Sequence, residues 1–485
     1  MNKASNVQRG NASRDRRRYV LRILGITLSS ALFLAPENYA QSFSVPFKQF
    51  KLDNGLRVVL SEDHSAPVVA VAVYYDVGSR NEVKGRSGFA HLFEHMMFQG
   101  SENVGKAEHF QYVENNGGVL NGSTHVDFTN YYQFLPSNQL ELALWLESDR
   151  MRSLRITAVN FKNQKDAVKE EKRMNVDNQA YWPALIKMDE MVFSNWANAH
   201  STIGSMEDLD AASLTDVRQF FRTYYSPNNA VLTIAGDVDP VQAEALVHKY
   251  FSAIPSQTAP PKVDVREPAQ VARSKAQVED QHAQMPALAM AWKIPARRSP
   301  DFYPIALLKS ILCDGESSRL YQKLVKERAV ALEIQGTLEE RRGPGQIAIF
   351  AIHKPDVKSD ALEEIITFEI ERVKKEGVSA EELRKTQNQY RLGRFLGGGA
   401  EGEYASLQTA LGRALALAEF TMFDGDPSLV NTEIDRYLAV TVEQVREAAR
   451  RHFGSVNRSV LYIHPVSKPD PGSSSGTPEK RKQGR

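Results

Sequence analysis

One cysteine, Cys313, stands among 485 residues. A single thiol cannot close a disulfide within the chain, so the fold must rest on its apolar core rather than on cross-links. Charge of one sign is lacking too: 60 Lys and Arg face 59 Asp and Glu, for a formal charge of +1. That balance carries neither the basic footprint of a nucleic-acid binder nor a surface for polyanions, and no nucleic-acid partner is expected. Long hydrophobic runs are missing as well. An apolar stretch near the start, Ile23 to Ala35, is about thirteen residues, short of the roughly 20 that cross a bilayer as a helix.

That stretch follows basic residues between Arg14 and Arg18 and precedes the small residue Ala40. The order is that of a secretory signal peptide, residues 1–40, so an exported, periplasmic or secreted protein is expected, with no stable membrane span once the signal is removed. Asn38, two residues before the cut, is not small, which keeps open an uncleaved signal anchoring the chain to the inner membrane. Arg16, Arg17 and Tyr19 also permit a twin-arginine export signal.

A chain this long calls for two to four domains. "FKLDNGLRVVLSED" reads as two short strands around the Asn54-Gly55 turn, and "APVVAVAVYYDVGS" as a longer apolar strand. Residues 252–275, rich in Pro and polar residues, read as a linker. They separate a first half, 45–251, from a second, 276–465. In the second half "MPALAMAWKI" is an apolar strand, "FYPIALLKSILCDGESSRL" a helix ending near Gly315, and "DALEEIITFEIERVKKEG" an amphipathic helix with a glycine cap. The first half offers strand, loop and helix in comparable order, which reads as a degenerate internal duplication. The glycine-rich "LGGGAEGEY", Leu396 to Tyr404, lacks the Lys and Ser/Thr of a phosphate loop and reads as a hinge or turn. Residues 466–485, dominated by Pro, Ser, Gly and charge, read as a disordered tail.

Only eleven histidines are present, yet two fall within "HLFEH", His91 to His95. Ser87 is a plausible N-cap and Gly100 a plausible C-cap, so His91, Glu94 and His95 belong to one helix of about three turns. Residues at i, i+3 and i+4 share a face, with Cβ atoms about 5–6 Å apart, close enough for two imidazoles to meet one tetrahedral ion. Glu94 points to the same side and can take a proton from water activated by the metal without being a ligand. A histidine pair alone could serve packing; the glutamate between them favours a zinc site. A catalytic zinc also needs a third protein ligand and an open position. The polar helical stretch "NQKDAVKEEKRMNVDNQ" supplies adjacent candidates, Glu170 and Glu171.

H-x-x-E-H is the inverted zinc motif, and the chain resembles the pitrilysin and mitochondrial processing peptidase family (peptidase family M16) in more than that motif. The resemblance implies Glu171, about seventy-six residues after His95, as third ligand, with Glu170 as the fallback. It extends through "NGGVLNGSTHVDFTNYYQFLP", similar to the family's substrate strand. There Asn121 would sit beside the scissile bond, and Gly122, Ser123 and Thr124 would pair their backbone with peptide. His125 and Asp127 fall on the same stretch, where a strand-surface histidine reads as solvated or hydrogen-bonded rather than catalytic. Two departures stand out. Gln164 occupies the place of an acid found in many members. Ala306, Lys309 and Ser310 stand in the second half where His91, Glu94 and His95 stand in the first, so that half cannot bind zinc in this way.

The resemblance implies an α+β fold of two similar α/β-roll domains, mainly antiparallel sheets covered by helices. It also implies an exported zinc metalloendopeptidase with one Zn²⁺ per chain. Its substrate would be a short peptide or unfolded protein, bound as an added edge strand. A dimer is expected, either of identical chains or with a related subunit lacking the zinc motif. The competing readings are a non-proteolytic peptide-binding or scaffold subunit of a heterodimeric peptidase, and a non-proteolytic metal site.

Overall fold

The computed structural model describes residues 43–396 and 406–466. The signal-peptide segment, the glycine-rich turn apart from Leu396 and the tail apart from Val466 lie outside the described residues.

Among the described residues, alternation and β-branched runs place eleven strands in two sheets. The first comprises β1 (Lys48–Lys51), β2 (Arg57–Glu62), β3 (Val68–Tyr75), β4 (Val119–Thr124), β5 (Thr129–Pro136) and β6 (Ala230–Gly236), in the order β1-β2-β6-β3-β5-β4. The second comprises β7 (Ser274–Asp280), β8 (Ala287–Ile294), β9 (Ala331–Glu339), β10 (Gly345–His353) and β11 (Arg458–Pro465), in the order β7-β11-β8-β10-β9. β1 and β2 pair antiparallel around the Asn54-Gly55 turn, where Gly55 takes φ 92°, a left-handed value that a side chain would strain.

Leaving β1 aside, the two sheets have one topology. In each, the first strand pairs parallel with the last, β2 with β6 and β7 with β11. The remaining neighbours are antiparallel. The duplication read from the sequence is thus a duplication of connectivity, and β4 and β9 are equivalent edge strands. Ser274 and Lys275, at the end of the stretch read as linker, are the first residues of β7.

One face of each sheet carries a large apolar cluster. In the first half, Val71, Val73 and Tyr75 of β3 pack with Phe89, Leu92, Phe93 and Met96 of the helix Phe89–Met96, hereafter the motif helix. In the second, Met290 and Trp292 pack with the helix Phe302–Cys313, buried along its whole length.

The opposite faces are covered in exchange. Ala70, Ala72 and Tyr74 of the first sheet meet Ala410, Leu411, Ala414, Ala418 and Met422 of the helix Ala410–Phe423. Ala287, Ala289, Ala291 and Leu461 of the second meet Ala184, Met188 and Val192 of the helix Trp182–Val192. Small residues on the strands let each helix approach closely. The β9–β10 loop reaches the first half as well: Arg342 donates its N–H to Asp127 at 2.8 Å and pairs with Asp76 at 2.5 Å. From Ser44 onward the described residues form one compact unit. No helix among them is long and apolar enough to cross a membrane.

Candidate metal centre

The motif helix has a divided surface set by its 3.6-residue period. Leu92, Phe93 and Met96 are buried while His91, Glu94 and His95 lie on the partly open face. Full burial of a side chain such as Phe93 contributes on the order of 2–3 kcal/mol, so the apolar face fixes the helix rotation that presents the polar one. Aromatic contacts strengthen this, with Phe93 and Tyr225 at 4.5 Å between ring centroids.

The helix starts one residue later than Ser87 would place it. Gly88 is the N-cap, at φ 83°, and offers no side chain to the first turn. Ser87 is occupied elsewhere: its N–H and hydroxyl both donate to Asp208, at 2.9 and 2.6 Å. The free N–H groups of the first turn go instead to Glu82, whose carboxylate accepts from Gly88 at 2.9 Å and Ala90 at 2.7 Å. Sequence reasoning missed Glu82. Its only signal was an acid a few residues before a helix that lacks a capping side chain.

The glutamate comes from the helix Ala158–Lys172, capped by Thr157, whose hydroxyl accepts the N–H of Asn160. Buried Phe161 and Val168 hold this helix in the first core. Glu171 Oε2 lies 3.1 Å from His95 Nε2 and 3.7 Å from His91 Nε2. The two imidazoles stand perpendicular, 4.9 Å apart. Donors around a tetrahedral zinc with bonds near 2.0–2.1 Å are separated by about 3.3 Å, a value that the two distances bracket. His91, His95 and Glu171 are also the one group of its kind among the described residues, its donor atoms all within 4.8 Å. Glu170 points away, paired with Arg173 at 2.9 Å.

The electrostatics fit a cation. Burial, then the neighbouring His95, pushes His91 down to about 4, so its imidazole is neutral at ordinary pH, the form that ligates metal. The hydrogen bond from His95 holds Glu171 below the usual carboxylate range. Burial opposes a proton on His95, but the hydrogen bond and charge of Glu171 outweigh it and raise that residue. Two further side chains orient the set. Gln164 hydrogen-bonds His95, and Asn175 hydrogen-bonds Glu171 from the π-helical turn Arg173–Asp177 that continues the helix. An amide in place of an acid at Gln164 lowers the negative charge around the centre.

Glu94 is not within the donor group. Burial raises its carboxyl, and the hydroxyl of Thr124 donates to its Oε2 at 2.6 Å. Thr124 ends β4, an edge strand of the first sheet among the described residues, and Asn121, Gly122 and Ser123 lie on the same strand. Asn121 is exposed, and its Oδ1 accepts the Gly122 N–H at 2.9 Å. Ser123 donates to Asn130 Oδ1 at 2.7 Å. His125 stacks on Phe128 at 4.3 Å, and Asp127 is buried against Arg80. In the second half, Lys309 is buried and paired with Asp314 at 2.8 Å.

Residues 57–198, which hold the motif helix and Glu171, match the family described as Insulinase (Peptidase family M16). Residues 211–390 match the Peptidase M16 inactive domain. The zinc protease PqqE of Helicobacter pylori is 30% identical over 369 residues, 76% of this chain and 83% of that one. The chain belongs to peptidase family M16. Its M16 fold is shared with a solved protease from Helicobacter pylori, at a TM-score of 0.82 and 26% identity, over 87% of this chain and 100% of that one. The periplasmic protease PqqL from Escherichia coli, at 18% identity, shares the fold with a TM-score of 0.69 over 87% of this chain and 48% of that one. The M16 inactive-domain match includes Ala306, Lys309 and Ser310.

Proposed function

We propose that this M16 chain is a zinc-dependent endopeptidase that hydrolyses short or unfolded peptides. The observation that carries the reading is the meeting of His91, His95 and Glu171 within 4.8 Å beside Glu94 and the edge strand β4. These three residues would hold one Zn²⁺, with no need for the second half to supply a ligand. The ion supplies Lewis acidity there, which polarises a peptide carbonyl and acidifies water.

The remaining steps belong to the protein. A peptide lies extended along β4, adding a strand whose main-chain hydrogen bonds, to the backbone of Gly122, Ser123 and Thr124, supply affinity with little sequence preference. Asn121 faces the bound peptide. Glu94 takes a proton from the attacking water as the carbon–oxygen bond forms, then gives it to the leaving amine as the carbon–nitrogen bond breaks. One water is consumed, and a carboxylate and an amine are released.

The working division is a catalytic half, 45–251, a linker, 252–275, and a half without metal ligands, 276–465. The chain matches 48% of PqqL, which supports a dimer in which a second M16 subunit, identical or without the zinc motif, closes the chamber and excludes water. An exported location agrees with the apolar run before Ala40. The test is cleavage of an unstructured fluorogenic peptide. Activity abolished by a chelator and restored by zinc supports the reading, and tight peptide binding with no cleavage under either condition would make the chain a binding subunit instead.

A further inference from the structure

Thr124 is the one residue of the edge strand whose side chain is hydrogen-bonded to Glu94. Its hydroxyl carries a single proton, and the acceptors within reach are unequal. Glu94 Oε2 lies at 2.6 Å and the Ala90 carbonyl at 3.5 Å, so the proton is committed to the carboxylate. Thr129, directly opposite in the β4–β5 register, does not compete, because its hydroxyl donates to the Val77 carbonyl at 2.9 Å and is 3.5 Å from Thr124. The rotamer of Thr124 is stiff at χ1, and its backbone belongs to the strand that would receive the peptide.

We propose that Thr124 is a positioning residue. Its hydroxyl clamps one oxygen of Glu94, leaves the other free to take a proton, and ties the base to the strand that sets where a peptide lies. The inference rests on the reading of Glu94 as general base and deepens it. Main-chain pairing of peptide with β4 does not use this hydroxyl, so its loss acts on turnover and not on peptide affinity. A charge-assisted hydrogen bond that restrains a base contributes about ten- to a hundredfold to rate.

The test is a double-mutant cycle on zinc-loaded full-length protein, with zinc affinity measured by chelator competition and stability by thermal unfolding. The expected result is that Thr124→Val lowers kcat about ten- to a hundredfold with KM and zinc affinity unchanged and the protein still fully folded at the assay temperature. Thr124→Ser, which keeps the hydroxyl, should restore most of the rate, and in a Glu94→Gln background Thr124→Val should cost little further. Wild-type kcat in Thr124→Val, equal losses in both backgrounds, or a Thr124→Ser protein as impaired as Thr124→Val would each overturn the proposal. A loss of rate that tracks lost zinc or lost stability in both Thr124 variants would overturn it too. A fully active Glu94→Gln protein would remove the general-base reading itself, whereas an inactive one beside a normal Thr124→Val protein removes only the role of Thr124.

Discussion

Glu82 and His200 face each other at 3.0 Å, the carboxylate with no solvent exposure at all. The pair begins the motif helix from outside it. Glu82 holds the N–H groups of Gly88 and Ala90, while His200 is held in turn by a hydrogen bond from its Nδ1 to the Trp196 carbonyl at 2.7 Å and by stacking on the Trp196 ring at 3.7 Å. Glu82→Ala strands two backbone donors and one imidazole in the interior. It should cost about 3 kcal/mol of stability and weaken zinc binding, because His91 follows Ala90 directly. Urea unfolding and zinc titration of the same variant check both effects.

Burial, then the charge of Glu339, pushes Asp189 up to about 7. The folded protein therefore keeps a proton that the unfolded chain releases near pH 3.8. That contribution is fully present below the unfolded value and is lost as pH rises through about 7. Asp189→Asn should remove it. The difference in urea midpoint between wild type and Asp189→Asn, followed from about pH 4 to pH 8, should change across that interval in favour of the variant at the alkaline end.

The exchanged helices make each half dependent on the other. Without the helix Ala410–Phe423, the face of the first sheet bearing Ala70, Ala72 and Tyr74 is open, and Thr233 loses its bond to the Ala414 carbonyl at 2.9 Å. A fragment ending near residue 256 should aggregate or bind a hydrophobic dye. Co-expression with the second half should restore a soluble complex, as size-exclusion chromatography would record.

Removing ligands and removing the base should have different signatures. Glu94→Gln should retain zinc and lose about 10²- to 10⁴-fold in turnover. His91→Ala and Glu171→Gln should lose metal and activity together. Glu170→Gln should be mild, since that side chain is exposed and bonded only to Arg173. Metal content by mass spectrometry, set beside peptidase rate, separates these cases.

What could be read from the sequence follows the range of the interaction. His91, Glu94 and His95 share a face because the helix repeat is local, and the Asn54-Gly55 turn is local too. Glu171 is not reachable by spacing, because its approach to His95 depends on how two helices pack; the family resemblance pointed to it. The N-terminus of the motif helix was misplaced at Ser87 for the same reason: Asp208, far along the chain, takes that serine's hydroxyl. The amphipathic pattern of Trp182–Val192 shows that one face is buried, but nothing in it says that the covering sheet belongs to the other half. Asn175 gave no signal either, since its bond to Glu171 depends on a π-helical turn.

The most direct measurement is a zinc titration of chelator-stripped protein, read by cleavage of an unstructured peptide. The expected result is activity that is absent at the start, climbs linearly and stops at one zinc per chain, with no such rise in His91→Ala. Full cleavage by the stripped protein, or one tightly bound zinc per chain with no cleavage, would contradict it.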